Sequence, residues 1–247
     1  KRNCIAQDIG NRMSKRLAIG GLSLWLLGLV LACSTLILGL IWTPSVDTET
    51  MNAPAAQRIF YWHVPSAWAS MLAFTCLFAG SIAWFWKRSE WGWKLHVAAV
   101  EAGMVFGLMA ITSGPIWGHA EWGVAWDWTD VRINTFGILT ALSAYLVIAR
   151  RSQPDGDDTR DTFSAVGLFG FALVPLTYMA TRWWQRRRPG PVVGPGGGGL
   201  EPSMATTMWF GVLAFVVLFV GLLLIEWSIL NAEQRISKIQ NKMDGDV

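Results

Sequence analysis

The sequence predicts an all-α integral membrane protein in which residues 1–247 form a single domain, a bundle of six transmembrane helices. The first reason is composition, since 53% of the residues are hydrophobic and only 15% are charged, whereas an average soluble domain has about 25% charged residues. The second is a mean hydropathy of +0.37. The third is spacing, because six apolar runs, each near or above the ~20 residues that a spanning helix needs, alternate with short polar segments.

The predicted spans begin and end where the composition changes. They cover residues 17–42, 59–86, 95–116, 133–148, 162–180 and 204–230. The first apolar run is long enough to span a membrane and lacks a convincing small-residue cleavage site, so we expect a membrane helix there and not a cleavable signal peptide. A loop rich in Arg, Pro and Gly, residues 181–203, precedes the last span, and a polar tail follows it.

The distribution of basic residues predicts which side of the membrane each loop occupies. The N-terminal segment, the loops after spans 2 and 4 and the C-terminal tail hold 14 of the 20 Lys and Arg residues. Because cytoplasmic loops carry the excess of these residues, both termini are predicted to be cytoplasmic, and loops 117–132 and 181–203 face outward. The second loop carries outward arginines, among them Arg182 and Arg188. Either they bind an anionic ligand, or the membrane protein tolerates their charge because earlier spans already set the orientation.

The outward loop 117–132 is unusually rich in tryptophan. Four tryptophans and two glycines stand close together in it: Trp117, Gly118, Trp122, Gly123, Trp126 and Trp128. Tryptophan commonly anchors helices at membrane interfaces, which explains isolated residues such as Trp42 and Trp86. Four in one loop, with glycines that let the backbone approach a surface closely, are more typical of a platform for a flat aromatic ligand.

Histidine supplies the candidate metal ligands. His63 lies near the outer end of span 2, where an ionisable side chain is a candidate for a functional role, and Pro65 can loosen the first turn of that helix. Histidine is a common ligand of haem iron, although a hydrogen bond to a neighbouring helix explains His63 as well. His119, inside the tryptophan-rich loop, can also reach a ligand. His96, at the start of span 3, is expected to be a polar residue at the cytoplasmic interface.

A platform, a histidine and several arginines on one face of the membrane together favour a porphyrin, which is flat, binds iron through histidine and carries two propionates. A quinone site is the alternative, but a quinone has less use for four arginines. No nucleophile, acid–base pair or phosphate-binding Gly-Lys-Ser/Thr motif is evident, so we expect neither an enzyme nor an ATPase. The net charge of +3 does not suggest a nucleic-acid partner.

These segments resemble the haem-handling membrane proteins of cytochrome c maturation, a family with a tryptophan-rich WWD motif, and in particular the C subunit of the haem-exporter-type maturation system. The motif matches Trp122-Gly123-Val124-Ala125-Trp126-Asp127-Trp128, with Trp117-Gly118 upstream. A second family segment matches Arg58 and His63 in Gln-Arg-Ile-Phe-Tyr-Trp-His-Val-Pro. The resemblance covers essentially the whole chain, including the Arg-Trp-Trp…Pro-Gly-Pro segment after span 5.

The chain departs from the family pattern first within the motif itself. After Trp128 the family has Asp, one further residue and then Arg. Here Thr129 comes first, and Asp130-Val131-Arg132 keeps the Asp-x-Arg spacing. We interpret Thr129 as a one-residue insertion.

The second departure concerns the iron ligands. The family carries a second haem-ligating histidine in the loop after span 5, where this sequence has Arg188 and no histidine anywhere in 181–203. Arginine does not deprotonate to bind iron under ordinary conditions. Iron would therefore be five-coordinate through His63, or its second ligand would come from His119 or from a partner protein.

The resemblance implies a membrane haem chaperone that holds haem b transiently at the outer face and presents it to a periplasmic haem-carrier protein. The implied partners are ABC-type ATPase and permease subunits and a small single-span subunit, besides haem and membrane lipid. The implied location is the cytoplasmic (inner) membrane of a bacterium or an archaeon.

The resemblance also implies a role for individual residues. His63 would hold the iron, and the tryptophan-rich loop with Asp130 would form the platform. The candidates for propionate binding are Arg58, Arg132, Arg182 and Arg188. Three other functions stay open: a haem-lyase or synthetase-type subunit, an ABC permease subunit without a haem site of its own, and a purely structural subunit.

Overall fold

The protein is built from helices throughout the part of the chain that the structure describes. The structure is a computed structural model that describes residues 2–46, 51–183 and 199–245, with side chains over 12–46, 51–179 and 199–244. The helices are α1 Arg2–Ile41, α2 Phe60–Lys87, α3 Glu90–Trp122, α4 Val131–Ser152, α5 Asp157–Phe171, α6 Leu173–Trp183 and α7 Pro202–Gly245. A short 3-10 helix, Pro54–Ile59, leads into α2.

Within the described ranges, six helical stretches are long and apolar enough to cross a membrane, and α5 and α6 together form one of them. This confirms the predicted fold class, an all-α multi-pass membrane protein with six spans. Successive spans run in opposite directions, so α1 and α3 end where α2 and α4 begin. We call this end of the bundle the tryptophan end; α1 begins and α7 ends at the opposite end.

Close packing between α2 and α3 forms the centre of the bundle. A Cβ added to Gly80 on α2 would lie 2.6 Å from the backbone nitrogen of His96, and one added to Gly92 on α3 would lie 2.6 Å from the Cβ of Ala83. Small residues of this kind let membrane helices approach each other closely, where lipid supplies no hydrophobic driving force. Around this pair, α1 packs chiefly on α7, whereas α4 packs on α3 and α6.

The predicted tryptophan-rich loop 117–132 is wrong at its beginning, because α3 continues to Trp122. The 33 residues of α3, at ~1.5 Å per residue, exceed the ~30 Å hydrocarbon core of a bilayer, so polar residues near its end do not interrupt it. Gly123 ends the helix in a left-handed conformation with φ 71°, and its N–H donates to the carbonyl of His119 at 2.9 Å. The connection to α4 is therefore only residues 123–130.

The fifth predicted span, 162–180, is two helices and not one. α5 ends at Phe171 and α6 begins at Leu173. Pro175 lacks the N–H that would donate to the carbonyl of Phe171 in a continuous helix, and its ring crowds that carbonyl. The break lets α6 take its own direction along α4, where Thr177 donates a hydrogen bond to Thr135 with 2.6 Å between the two hydroxyl oxygens.

The first and last helices extend beyond their predicted spans. α1 begins at Arg2 and not near residue 17, and α7 continues to Gly245 and not only to residue 230. The prediction stopped at the first charged residues, but charge does not interrupt a helix once it has left the apolar core of the bilayer.

His96 is not the interfacial residue that the sequence predicts. Only 2% of it is exposed, its ring stacks on Trp93 at a centroid distance of 5.0 Å, and its Nδ1 lies 2.9 Å from Ser81 Oγ. Ser89 caps the N-terminus of α3, so the helix begins well before His96. The turns that precede His96 lie nearer the membrane surface and carry His96 into the packed interior.

Candidate functional site

A cavity of about 600 Å³ opens between α2, α3, α4 and α6 at the tryptophan end. Along α2 its wall runs from His63 to Thr75, which is roughly 18 Å of helix. The wall is mostly apolar, and its charged residues, Asp127, Asp130 and Arg132, lie near the tryptophan end. This distribution suits a ligand with a large apolar body and a polar or anionic edge.

His63 lies in the cavity wall, where its ring is fixed from two sides. Its Nδ1 is 3.0 Å from the Oγ of Ser113 on α3, and its ring meets Trp117 edge-on at a centroid distance of 6.1 Å. A Cβ on Gly114 would lie 2.9 Å from Cε1 of His63. The glycine therefore leaves the space that the imidazole occupies.

The four tryptophans of the predicted platform divide into two pairs. Trp117 and Trp122 line the cavity, with ring centroids 6.2 Å apart and planes inclined by 30°. Trp126 and Trp128 form the second pair, 5.7 Å apart, and neither lines the cavity among the described residues. Trp126 donates from Nε1 to Asn134 on α4 at 3.1 Å, and Trp128 is 82% exposed.

Arg132 is held at the edge of the cavity by Asp130. The Asp130 carboxylate accepts from the backbone N–H of Arg132 at 3.0 Å and so caps α4. It also accepts from Nε of the Arg132 guanidinium at 3.2 Å and from Nη2 at 3.0 Å. Of the Lys and Arg side chains that the structure describes, Arg132 alone lines the cavity.

The extra residue in the motif is accommodated by a turn. The Asp127 carboxylate accepts from the N–H of Thr129 at 2.9 Å and from its hydroxyl at 2.6 Å, a pattern in which aspartate supports a local turn. The amide nitrogen of Asn134 donates to the carbonyls of Trp128 and Asp130 at 2.9 and 2.8 Å. These bonds hold the connection 123–130 against the first turns of α4.

Arg58, a predicted propionate candidate, has another role in the structure. Its guanidinium donates to the carbonyls of Gly39 and Leu40 at the end of α1. Carbonyls at a helix C-terminus lack intrahelical partners and carry partial negative charge, so a cation there is favourable. Arg58 does not line the cavity and joins α1 to the segment that leads into α2.

The remaining candidates lie away from the cavity or outside the described residues. His119 is exposed on the last turn of α3 and is absent from the cavity wall. Gly118 lines the cavity, where a Cβ would lie 3.1 Å from the carbonyl oxygen of Val124. Arg182 falls in the last turn of α6, but its side chain lies outside the described residues, as does the whole of Arg188.

Three residues that hold the site together were missed from the sequence: Ser113, Asn134 and Glu121. Each is a common polar residue at an unremarked position in a helix. Ser113 lies 50 positions from the histidine that it contacts, and Glu121 lies 69 from Asn52. Only the packing of separate helices brings these partners together, and no local pattern indicates it.

The family model for heme exporter protein C matches residues 10–242 of the chain. The chain belongs to the heme exporter protein C family. The heme exporter protein C of Bradyrhizobium diazoefficiens is 27% identical over 195 residues, which are 78% of this chain and 74% of the relative. That of Rhodobacter capsulatus is 27% identical over 196 residues, 77% of this chain and 79% of the relative. A Marchantia polymorpha protein, named a putative cytochrome c biosynthesis ccmC-like mitochondrial protein, is 29% identical over 127 residues, about half of each chain (51% and 53%).

Membership of the heme exporter protein C family agrees with the resemblance found in the sequence. The matched region contains every described residue of the cavity wall. It therefore also contains His63, the first tryptophan pair and Arg132.

Proposed function

We propose that the chain is a haem chaperone of cytochrome c maturation and that it holds haem in the cavity beside His63. One observation carries the proposal: a single cavity brings together His63, Trp117, Trp122 and Arg132, all of which the sequence analysis assigns to haem. The family name, and the mention of cytochrome c biosynthesis in the name of one relative, support the same function.

The residues present fit a haem in size and chemistry. The cavity volume of about 600 Å³ falls within the ~300–1,000 Å³ that is usual for ligand sites. The indole Nε1 of Trp117 is buried and has no hydrogen-bond partner among the residues that the structure describes, whereas buried donors normally have one. Gly114 leaves the space in which the His63 imidazole lies in the cavity wall, because a Cβ there would be 2.9 Å from Cε1 of His63.

Each described residue of the site then has a definite task. His63 would hold the iron through Nε2, because Nδ1 faces Ser113. Trp117 and Trp122 pack their rings against the porphyrin, and Arg132, oriented by Asp130, donates charge-assisted hydrogen bonds to a propionate. When bound, haem would supply an iron that binds histidine and a vinyl group to which a carrier protein can attach.

Among the described residues of the cavity wall, His63 is the one histidine. Because His119 is exposed and lies outside the cavity wall, we favour five-coordinate iron, or a second ligand from a partner protein. Arg182 and Arg188 stay candidates for the second propionate.

The tryptophan end is proposed to face outward from the cytoplasmic membrane of a bacterium or an archaeon, with both termini in the cytoplasm. There the exposed Trp128 lies beside the site and offers a surface for a periplasmic haem-carrier protein. The chain acts within an ABC-type complex with ATPase, permease and small single-span subunits. In this proposal it binds and transfers haem b and is not itself an enzyme, and any ATPase activity resides in a partner chain.

An absorption spectrum of the purified, haem-loaded protein tests the proposal. We expect the wild-type protein to show a Soret band. His63→Ala should abolish the band or lower the affinity for haem at least about tenfold, since loss of a metal ligand or of the group that orients it has an effect of this size or larger. His119→Ala is the matched control and should leave the band unchanged. A colourless protein after expression with excess haem, or a band that is indifferent to His63→Ala, would refute the proposed site.

A further inference from the structure

A hydrogen bond joins the histidine of the cavity to the neighbouring helix. Ser113 on α3 is 8% exposed, and its Oγ lies 3.0 Å from Nδ1 of His63 on α2. The same hydroxyl donates to the carbonyl oxygen of Met109 at 2.6 Å. One side chain thus contacts both the histidine ring and the backbone of its own helix.

The two contacts together determine where the proton of the imidazole lies. A serine hydroxyl has a single hydrogen and accepts through its lone pairs. Because that hydrogen is engaged by Met109, the Ser113 oxygen faces His63 as an acceptor. Nδ1 of His63 must then carry the proton, and Nε2 keeps the lone pair that a metal needs.

A second pair in the same protein has the same geometry. Ser81 donates to the carbonyl oxygen of Leu77 at 2.8 Å, and its Oγ lies 2.9 Å from Nδ1 of His96. His96 does not line the cavity of the site. His96 therefore serves as an internal reference: it has the same contact with a serine, and no ligand is proposed for it.

We propose that Ser113 is the positioning residue of the haem site, which fixes His63 as the tautomer with Nδ1 protonated and turns its Nε2 lone pair to the iron. The assignment of iron to Nε2 rests on the proposed function, whereas the tautomer does not. Partners of this kind orient metal-binding histidines and raise their basicity, and their loss typically lowers metal affinity ~10–100-fold.

Nitrogen NMR of the haem-free protein in nanodiscs, with histidine labelled by ¹⁵N, tests the tautomer. The chain has only three histidines, and His63→Ala identifies the signals of His63. We expect wild type and Ser113→Thr, which keeps the hydroxyl, to show a protonated Nδ1. Ser113→Ala should populate the other tautomer, while unchanged His96 signals show that the variant is folded. An unprotonated Nδ1 in wild type, or no change in Ser113→Ala, would overturn the proposal.

Haem titration and resonance Raman spectra test the consequence. Ser113→Ala should bind haem ~10–100-fold more weakly than wild type and should shift the iron–histidine stretching frequency. Ser113→Thr should keep the wild-type affinity and frequency. If wild type shows the expected tautomer but takes up no haem, the proposed function fails while the assignment of Ser113 to the tautomer stands. If wild type binds haem through His63 and Ser113→Ala changes neither affinity nor frequency, the role of Ser113 fails alone.

Discussion

Glu121 fastens Asn52 to the last turn of α3. The buried carboxylate of Glu121 accepts from the backbone N–H of Asn52 at 3.0 Å and from that of Ala53 at 2.9 Å, and the side chain of Asn52 donates back to the Glu121 carbonyl at 3.0 Å. The segment between α1 and α2 is thereby attached to the helix that carries Trp117 and Trp122. It leads directly into the turn before His63, so the clamp sets how α2 meets the cavity.

Glu121→Ala removes this clamp and should destabilise the tryptophan end. Loss of the acceptor leaves two backbone donors unsatisfied, which costs about 1–3 kcal/mol each where the group is buried and less here, because the segment is partly exposed. We expect faster cleavage by an added protease between α1 and α2, and a lower unfolding temperature in detergent. His119→Ala, on the exposed side of the same turn, is the control and should match wild type; equal cleavage of both variants would refute the clamp.

Gly114→Ala should disturb the histidine and leave the bundle intact. The added Cβ would lie 2.9 Å from Cε1 of His63, so the imidazole must turn away, and its hydrogen bond to Ser113 is lost. We expect weaker haem absorption with an unchanged helical circular dichroism spectrum. Gly20→Ala on α1, where a Cβ meets nothing within 4 Å, is the matched substitution. An unaltered Soret band in Gly114→Ala would contradict the position of the ring.

The two tryptophan pairs should behave differently when they are truncated. Trp122→Ala removes an aromatic ring from the cavity wall, and loss of a contact worth about 1.5 kcal/mol or more would weaken haem binding at least about tenfold. Trp128→Ala removes a ring that is 82% exposed and should leave haem affinity within about twofold of wild type, because surface changes are usually small. Titration of both variants with haem measures the difference. Equal weakening would mean that Trp128 also contacts the ligand and would contradict the proposed difference between the two pairs.

The sequence predicts the spans well because apolar length is a property of a continuous stretch of chain. It also indicates His63 and the tryptophans as candidates, since an ionisable residue in a span and a dense aromatic cluster are rare locally; the structure places His63, Trp117 and Trp122 in one cavity wall. It does not predict that α3 continues as far as Trp122. The carboxylate of Glu121, in the last turn of that helix, has its hydrogen-bond partner in Asn52, which is far away in the chain.

The sequence also does not predict that the four tryptophans divide into two pairs. Trp126 turns to α4 because a Cβ is missing at Gly137, where one would lie 2.9 Å from the Trp126 ring, and because Asn134 accepts its indole N–H. Both partners belong to the next helix, and their spacing from Trp126 carries no recognisable motif. Candidate residues of a site on several helices are visible in sequence, whereas the contacts that orient them are not.

Asp130 combines two tasks that a conservative substitution can separate. Its carboxylate caps α4 and also binds the guanidinium of Arg132 through two hydrogen bonds. Asparagine caps a helix about as well as aspartate, but it is neutral and offers one acceptor oxygen where aspartate offers two. Asp130→Asn should therefore keep the stability of α4 and release Arg132 from its fixed orientation.

We expect Asp130→Asn to unfold within a few tenths of a kcal/mol of wild type, whereas Asp130→Ala, which also loses the cap, should cost about 0.5–2 kcal/mol. Both should weaken haem binding to a similar degree, because both free the guanidinium that is proposed to bind a propionate. Haem esterified at its propionates distinguishes this cause from a general loosening of the site, since wild type and Asp130→Asn should bind the ester equally. An Asp130→Asn variant that binds ordinary haem as tightly as wild type would show that the orientation of Arg132 does not matter for the ligand.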